Sequence, residues 1–315
     1  MWIVLAASPT LWPAGPVGVP LGSAKPAADT PEIGSNLPLF YLWNESQHGR
    51  TLPWLIDGGL LPLDLVAIPP EAGLSVSLTY DGVPYELAYD RARGVAVYPL
   101  RWAGAYRRVE IGRDAAGFPI NIELPEEKIS LTVLEYRDGL PIQFRYEREG
   151  ETGFAVMHYW DAAAEESWYS EAGELLALYE YQLSGEAIVA INSIAADGIS
   201  TPVARWDYNA QGLVASVTDV DGNRAFLYDE KNRPTVVLTN PAAGGGSECY
   251  FQWDELGRLV RQYGRNENGV FEYRYRYLQE SKGLWISCGV EPWIEQYGHL
   301  VPGPEIKITR TFSRR

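Results

Sequence analysis

The chain has 315 residues, 46% of them hydrophobic, enough for one large or two ordinary domains with a sizeable core. Its 41 acidic against 26 basic residues give a formal charge of −15, a field that argues against nucleic acid as a partner and against more than peripheral contact with anionic membranes. Its 20 Tyr, 11 Trp, 31 Gly and 22 Pro favour pleated surfaces and turns over helices, so composition leans towards an all-β protein.

Met1-Trp-Ile-Val-Leu-Ala-Ala-Ser8 reads as the end of an apolar export signal, and Gly22-Ser-Ala24 offers small residues before a cleavage point, although no Lys or Arg precedes Lys25. Residues 1–38 are therefore taken as a signal remnant and a Pro/Ala/Gly-rich linker, in which Pro13, Pro16, Pro20 and Pro26 break any helix. Residues 39–73 hold Leu39-Phe-Tyr-Leu-Trp43 and Leu60-Leu-Pro-Leu-Asp-Leu-Val-Ala-Ile68, both too short to cross a membrane. They are expected to form an irregular N-terminal cap over the first edge of a sheet.

Residues 74–315 carry the β signal. Ser75-Val-Ser-Leu-Thr-Tyr80, Asp81-Gly82 and Tyr85-Glu-Leu-Ala-Tyr89 spell strand, tight turn and strand. Leu131–Tyr136, Asp138-Gly139 and Ile142–Tyr146 repeat the pattern, since Gly accepts positive φ and Asp tolerates it. The helix formers of Asp161-Ala-Ala-Ala-Glu-Glu-Ser-Trp168 predict one short helical turn. Further on, Phe271-Glu-Tyr-Arg-Tyr-Arg-Tyr277 alternates rings with charges, predicting one packed aromatic face and one wet face.

One unit recurs. Trp206-Asp-Tyr208-Asn-Ala-Gln-Gly-Leu, Tyr228-Asp-Glu-Lys-Asn-Arg and Trp253-Asp-Glu-Leu-Gly-Arg-Leu each run from aromatics through a polar turn into aliphatic residues. Weaker copies begin at Tyr169 and Tyr181. The aromatics Tyr208, Tyr228, Trp253 and Tyr277 stand 20, 25 and 24 residues apart, the spacing of a stacked array of hairpins. On these residues the chain resembles the YD-repeat family of bacterial rearrangement-hotspot (Rhs) proteins, wall-associated proteins and teneurins, firmly over roughly 200–315 and faintly over 75–200. The resemblance implies an open, twisted or winding array of antiparallel β-hairpins with little helix, exported or at the bacterial surface. The toxin function of long members is not carried over, because residues 278–315 are themselves strand-like.

Motifs for chemistry are sparse. His48, His158 and His299 share no metal-ligand spacing, and no nucleophile elbow or phosphate-binding loop occurs, so neither catalytic residues nor a cofactor nor a metal is assigned. Asp219-Val-Asp221-Gly-Asn223 clusters oxygens suited to calcium but lacks the remainder of an EF-hand loop. Cys249 and Cys288 are candidates for one disulfide or for two buried thiols. The aromatic surplus is the better lead: Trp43, Trp54, Trp102, Trp285 and Trp293 fall outside the regular alternation and are the candidate ligand-binding rings. Two functions follow. The preferred one is an exported, non-enzymatic β-repeat protein whose surface binds a glycan, peptide or other envelope component. The alternative is an exported hydrolase with carboxylates such as Asp161, Glu165 or Glu166 on loops of the array.

Overall fold

The computed structural model describes residues 37–48, 74–80, 83–90, 94–102 and 105–314, apart from 221, 243, 268, 282 and 283. The helix α1 is Leu39–His48, and the first strands are β1 Leu74–Tyr80, β2 Val83–Asp90, β3 Gly94–Trp102, β4 Ala105–Arg113, β5 Pro119–Leu124, β6 Ile129–Arg137 and β7 Leu140–Arg148. Next come β8 Glu151–Trp160, β9 Ala163–Ser170, β10 Leu175–Ser184, β11 Ala187–Ile194, β12 Ser200–Tyr208, β13 Val214–Asp219 and β14 Gly222–Tyr228. The series ends with β15 Pro234–Pro241, β16 Ser247–Trp253, β17 Leu259–Asn266, β18 Gly269–Ser281, β19 Leu284–Gln296, β20 His299–Pro302 and β21 Ile306–Arg314. The expected antiparallel hairpin array with little helix is what forms.

From β1 to β19 each strand pairs antiparallel with the next. β20 then extends one end of β19, and β21 pairs with β19 on one side and β1 on the other, Thr309 standing opposite both Ser287 and Thr79. The winding array therefore brings its last strand back to its first. β1 gains a partner on each edge.

Turn chemistry explains the hairpins. Asp138-Gly139 (φ 52° and 81°), Glu149-Gly150 (52° and 90°) and Tyr297-Gly298 (53° and 79°) take positive φ at both positions, which matches the twist of two-residue hairpins. The recurrent unit uses a longer turn. In Asp229–Arg233 the Asp229 N–H donates to the Arg233 carbonyl (2.9 Å), Asn232 N–H donates back to the Asp229 carbonyl (3.0 Å), and Asp229 Oδ1 accepts from Lys231 and Arg233 (2.9 Å each). Asn209–Leu213, Asp254–Arg258 and Asp114–Phe118 close with the same backbone bonds. The fourth position is left-handed in each, which is why Gly or Asn stands there: Gly117, Gly212, Asn232 and Gly257 have φ of 93°, 77°, 62° and 82°.

The aromatic before three of these turns, and Tyr277 within β18, fasten the array to the neighbouring strand. Tyr208 donates to the Ile188 carbonyl (2.9 Å), Tyr228 to Val214 (2.7 Å), Trp253 Nε1 to Pro234 (2.8 Å) and Tyr277 to Leu259 (2.7 Å). These rings cannot leave the sheet without abandoning a buried polar tip. In three of these turns the fifth residue then covers the ring of the next hairpin. Phe118 packs on Tyr136 with centroids 5.4 Å apart, the Arg233 guanidinium lies 5.7 Å from the Trp253 ring, and that of Arg258 lies 4.7 Å from the Tyr277 ring.

One face of the array is the core. On β18, Phe271 and Tyr275 are buried and Tyr273 and Tyr277 half-buried, while Arg274 and Arg276 face solvent, so the four rings share one side as alternation predicts. Glu272 departs from that pattern, being buried between two arginines.

Two expectations need correction. Leu39–His48 is helical, not irregular, and it lies against the inner face of the sheet instead of along an edge. Phe40 meets Tyr159 and Tyr181, Tyr41 stacks on Trp206, Trp43 Nε1 donates to the Tyr136 hydroxyl (2.9 Å), and Leu37 and Leu39–Trp43 are enclosed. The remainder of the predicted cap, 49–73, and the linker up to residue 36 lie outside the described residues. The helical turn expected around Asp161–Trp168 is β9, because Ala164, Glu166 and Trp168 are drawn into the core between β8 and β10 and tertiary pairing overrides helix propensity.

Candidate functional site

The outer face of β16–β19 carries a row of rings and charges set by register. Tyr250 stands opposite Tyr263, Tyr263 opposite Glu272, and Glu272 opposite Trp293. Tyr250 and Tyr263 stack with centroids 5.3 Å apart at 18°. The Arg261 guanidinium lies 4.4 Å from the Tyr263 centroid and that of Arg274 4.3 Å from the Trp293 centroid.

Glu272 ties the row together, accepting from Arg261 Nη2 (2.7 Å) and Arg274 Nε (2.6 Å). Burial would raise its carboxyl, but the two arginines outweigh burial and hold it below the usual carboxylate range. Trp293 Nε1 donates to Glu291 (3.0 Å) and Tyr250 to Glu248 (3.1 Å), so the polar tips of both outer rings are also directed. The result is a fixed strip across four strands, with part-exposed rings on β16, β17 and β19 and charges between them on β18. Such rings with paired charges beside them suit stacking against a sugar ring or an aliphatic side chain.

Of the five tryptophans singled out by sequence, Trp293 belongs to this strip. Trp43 is 1% exposed inside α1's packing and Trp285 is 2% exposed against Tyr277, so both serve as core and offer no ring face. Trp102 ends β3 and Trp54 lies outside the described residues. Sequence reasoning passed over Tyr250 and Tyr263 because each sits inside a regular strand. The available signal was Cys249-Tyr250-Phe251, where a ring occupies the solvent-facing position between two buried neighbours.

The other candidates resolve individually. Cys249 and Cys288 are buried free thiols. They lie on β16 and β19 with two strands between, and Cys249 is in register with Ile294, not with Cys288, so three spacings of about 4.8 Å make roughly 14 Å the least separation, far beyond disulfide reach. Burial pushes the Cys249 thiol up to about 12. Asp219 is engaged by Arg224, and among the described residues no group of three His, Cys, Asp or Glu could hold a metal ion.

Glu165 and Glu166, proposed for hydrolysis, point to opposite faces of β9. Glu165 accepts from Ser167 Oγ (3.2 Å), whereas Glu166 is wholly enclosed. The Glu166 carboxylate accepts from the Leu39 and Phe40 N–H groups (2.9 and 3.0 Å), from Trp168 Nε1 and from the Tyr181 hydroxyl, capping the first turn of α1. Burial pushes its carboxyl up, against the pull of these four donors. No substrate reaches it in this packing.

A separate cleft of about 790 Å3 opens between the tip of the β10–β11 hairpin and the Asn209–Leu213 turn, with Gln182, Arg205, Asp207 and Tyr208 among its walls. A register shift between Gln182 and Leu183 on the β10–β11 pair adjoins it.

Fold and strip together define a β-hairpin repeat protein. The chain carries an RHS repeat, whose family model matches residues 208–244, and this bears out the resemblance drawn from the Tyr-Asp units. A porin-like protein from Bacteroides uniformis ATCC 8492 aligns at 10% identity and TM-score 0.31 over 78% of this chain and 98% of its own. The Tc holotoxin pore of Photorhabdus luminescens (TccC3 D651A mutant) aligns at 9% identity and TM-score 0.25 over 75% of this chain, which spans 17% of that one. At these scores neither likeness bears on fold or function. A comparison with curated proteins found no match. Among the described residues no helix is long and apolar enough to cross a membrane.

Proposed function

We propose that the chain is an exported, non-enzymatic protein of the bacterial envelope or exterior whose outer face binds a glycan. The observation that carries this reading is the strip of Tyr250, Tyr263 and Trp293, held rigid by Glu272 and its two arginines on the face turned away from the core. Rings fixed before binding lose little entropy when a sugar stacks on them. Export is supported by the apolar start of the chain and by the surface character of the family it resembles.

A glycan array probed with the full chain and with Trp293→Ala tests the proposal. The wild type is expected to retain a small set of glycans, and the variant to bind them about tenfold more weakly, a ring contact being worth roughly 1 kcal/mol or somewhat more. Glycan binding that Trp293→Ala leaves intact would remove the strip from the argument. An array with no glycan retained would replace the glycan by a peptide or envelope protein.

A further inference from the structure

The centre of the strip holds more positive charge than its pairing neutralises. Two guanidinium groups meet one carboxylate, Arg261 donating to Glu272 from Nη2 (2.7 Å) and Arg274 from Nε (2.6 Å), whereas Asp229 with Arg233 and Glu305 with Arg276 pair one to one. Register sets Arg261 directly opposite Arg274. The two cations therefore stand together over a carboxylate that is 5% exposed, while their own side chains are 38% and 50% exposed. The nearby acids do not take up the surplus. Glu291, the cross-strand neighbour of Arg274, accepts from Trp293 Nε1, and Glu248 accepts from the Tyr250 hydroxyl; among the described residues neither forms an ion pair with an arginine. Nη1 of Arg261 and both Nη atoms of Arg274 have no hydrogen-bond partner among the described residues, and Arg261 Nε is enclosed without an acceptor.

We propose that Arg261 and Arg274 form a receptor for an oxyanion on the ligand, so that the glycan bound by the strip is an acidic one. The sugar in this inference rests on the glycan reading; the charge rests on the arginine pair. A carboxylate or sulfate ester set against the two free guanidinium edges accepts forked, charge-assisted hydrogen bonds and matches the cation that Glu272 leaves over. Both forks are held before the ligand arrives, each tied to Glu272 and each stacked on a ring, Arg261 on Tyr263 and Arg274 on Trp293, so little ordering accompanies binding. Glu248 on β16 and Glu291 on β19 repel an anion that strays towards either end of the row, which confines it to the centre. The overall charge of −15 gives an acidic ligand no long-range attraction, so selectivity for the acid arises in contact with the two arginines.

The test is a titration of the full chain with methyl glucuronide, its methyl ester and methyl glucoside, read from the Trp293 indole N–H resonance, which Trp293→Phe assigns. The glucuronide is expected to shift this resonance saturably, and the ester and glucoside to bind at least about fivefold more weakly, because both lack the anion. Methyl glucoside 6-sulfate separates the sources of that anion: binding tighter than the glucuronide's assigns the receptor to sulfate esters, and weaker binding assigns it to uronic acids. Arg274→Gln, at a half-exposed side chain, should bring the ratio of glucuronide to glucoside affinity towards one, and Arg261→Gln should do the same. A purely structural role for the arginines would weaken both sugars alike and keep the ratio. That result, or equal binding of all three sugars by the wild type, overturns the proposal and leaves the glycan reading standing. Acetate shifting the resonance in the wild type but not in Arg274→Gln, with no sugar bound, keeps the oxyanion receptor and removes the glycan. No response to any of these probes removes both.

Discussion

Glu166→Gln is the most direct probe of what ties α1 to the array. In the wild type Oε1 receives Leu39 N–H and Trp168 Nε1, and Oε2 receives Phe40 N–H and the Tyr181 hydroxyl. An amide keeps one oxygen and puts an NH2 group where the other stood, so two of the four buried donors lose their acceptor. At about 1–3 kcal/mol for each orphaned group the gross cost is about 2–6 kcal/mol, and relief from burying a charge offsets part of it. A net loss of about 2–4 kcal/mol is expected, read by urea denaturation with tryptophan fluorescence. Solution pH adds a second reading. Because burial raises the Glu166 carboxyl in the folded protein, the fold binds this proton more tightly than the unfolded chain does. Its contribution is therefore full below the unfolded carboxylate pKa and declines as pH rises through the folded one, a slope that Gln lacks. The penalty of Glu166→Gln should thus shrink from acid towards neutral pH. A penalty that instead grows with pH would show that the four donors outweigh burial, and a penalty under about 0.5 kcal/mol would refute the capping role altogether.

Arg258→Ala removes the Nε bond to Asp254 (2.6 Å) and the cover over Tyr277, and should lower stability by about 1–2 kcal/mol in the same denaturation assay. Arg205→Ala, whose exposed pair spans 3.6 Å, should stay within about 0.5 kcal/mol. Gly264→Ala would place a Cβ 1.9 Å from the Glu248 carbonyl oxygen and should cost about 1–3 kcal/mol or more, whereas Gly112→Ala meets Asn121 at an ordinary 3.5 Å and should be close to neutral; their thermal midpoints test this. The thiols of Cys249 and Cys288 should resist Ellman's reagent at pH 8 until denaturant is added, and dithiothreitol should leave the melting temperature unchanged. A Cys249–Cys288 cross-linked peptide in a mass spectrum would contradict the strand order.

What the sequence by itself determined is local and repetitive. Alternation predicts strands such as β18, Asp-Gly predicts the tight turn at Asp138-Gly139, and the Tyr-Asp units predict a hairpin array with its period, because side-chain parity and left-handed turn positions act over a few residues. What only the tertiary structure decided involves partners far apart in the chain. Leu39–His48 is a helix because a carboxylate 127 residues beyond Leu39 caps it, and Ala163–Ser170 is a strand because the interior claims Glu166 and Trp168. Parity alone did not say which rings would face outward, so Trp43 and Trp285 were enclosed while Tyr250, Tyr263 and Trp293 formed the strip. Burial and cross-strand register are properties of the assembled sheet, and no window of the chain contains them.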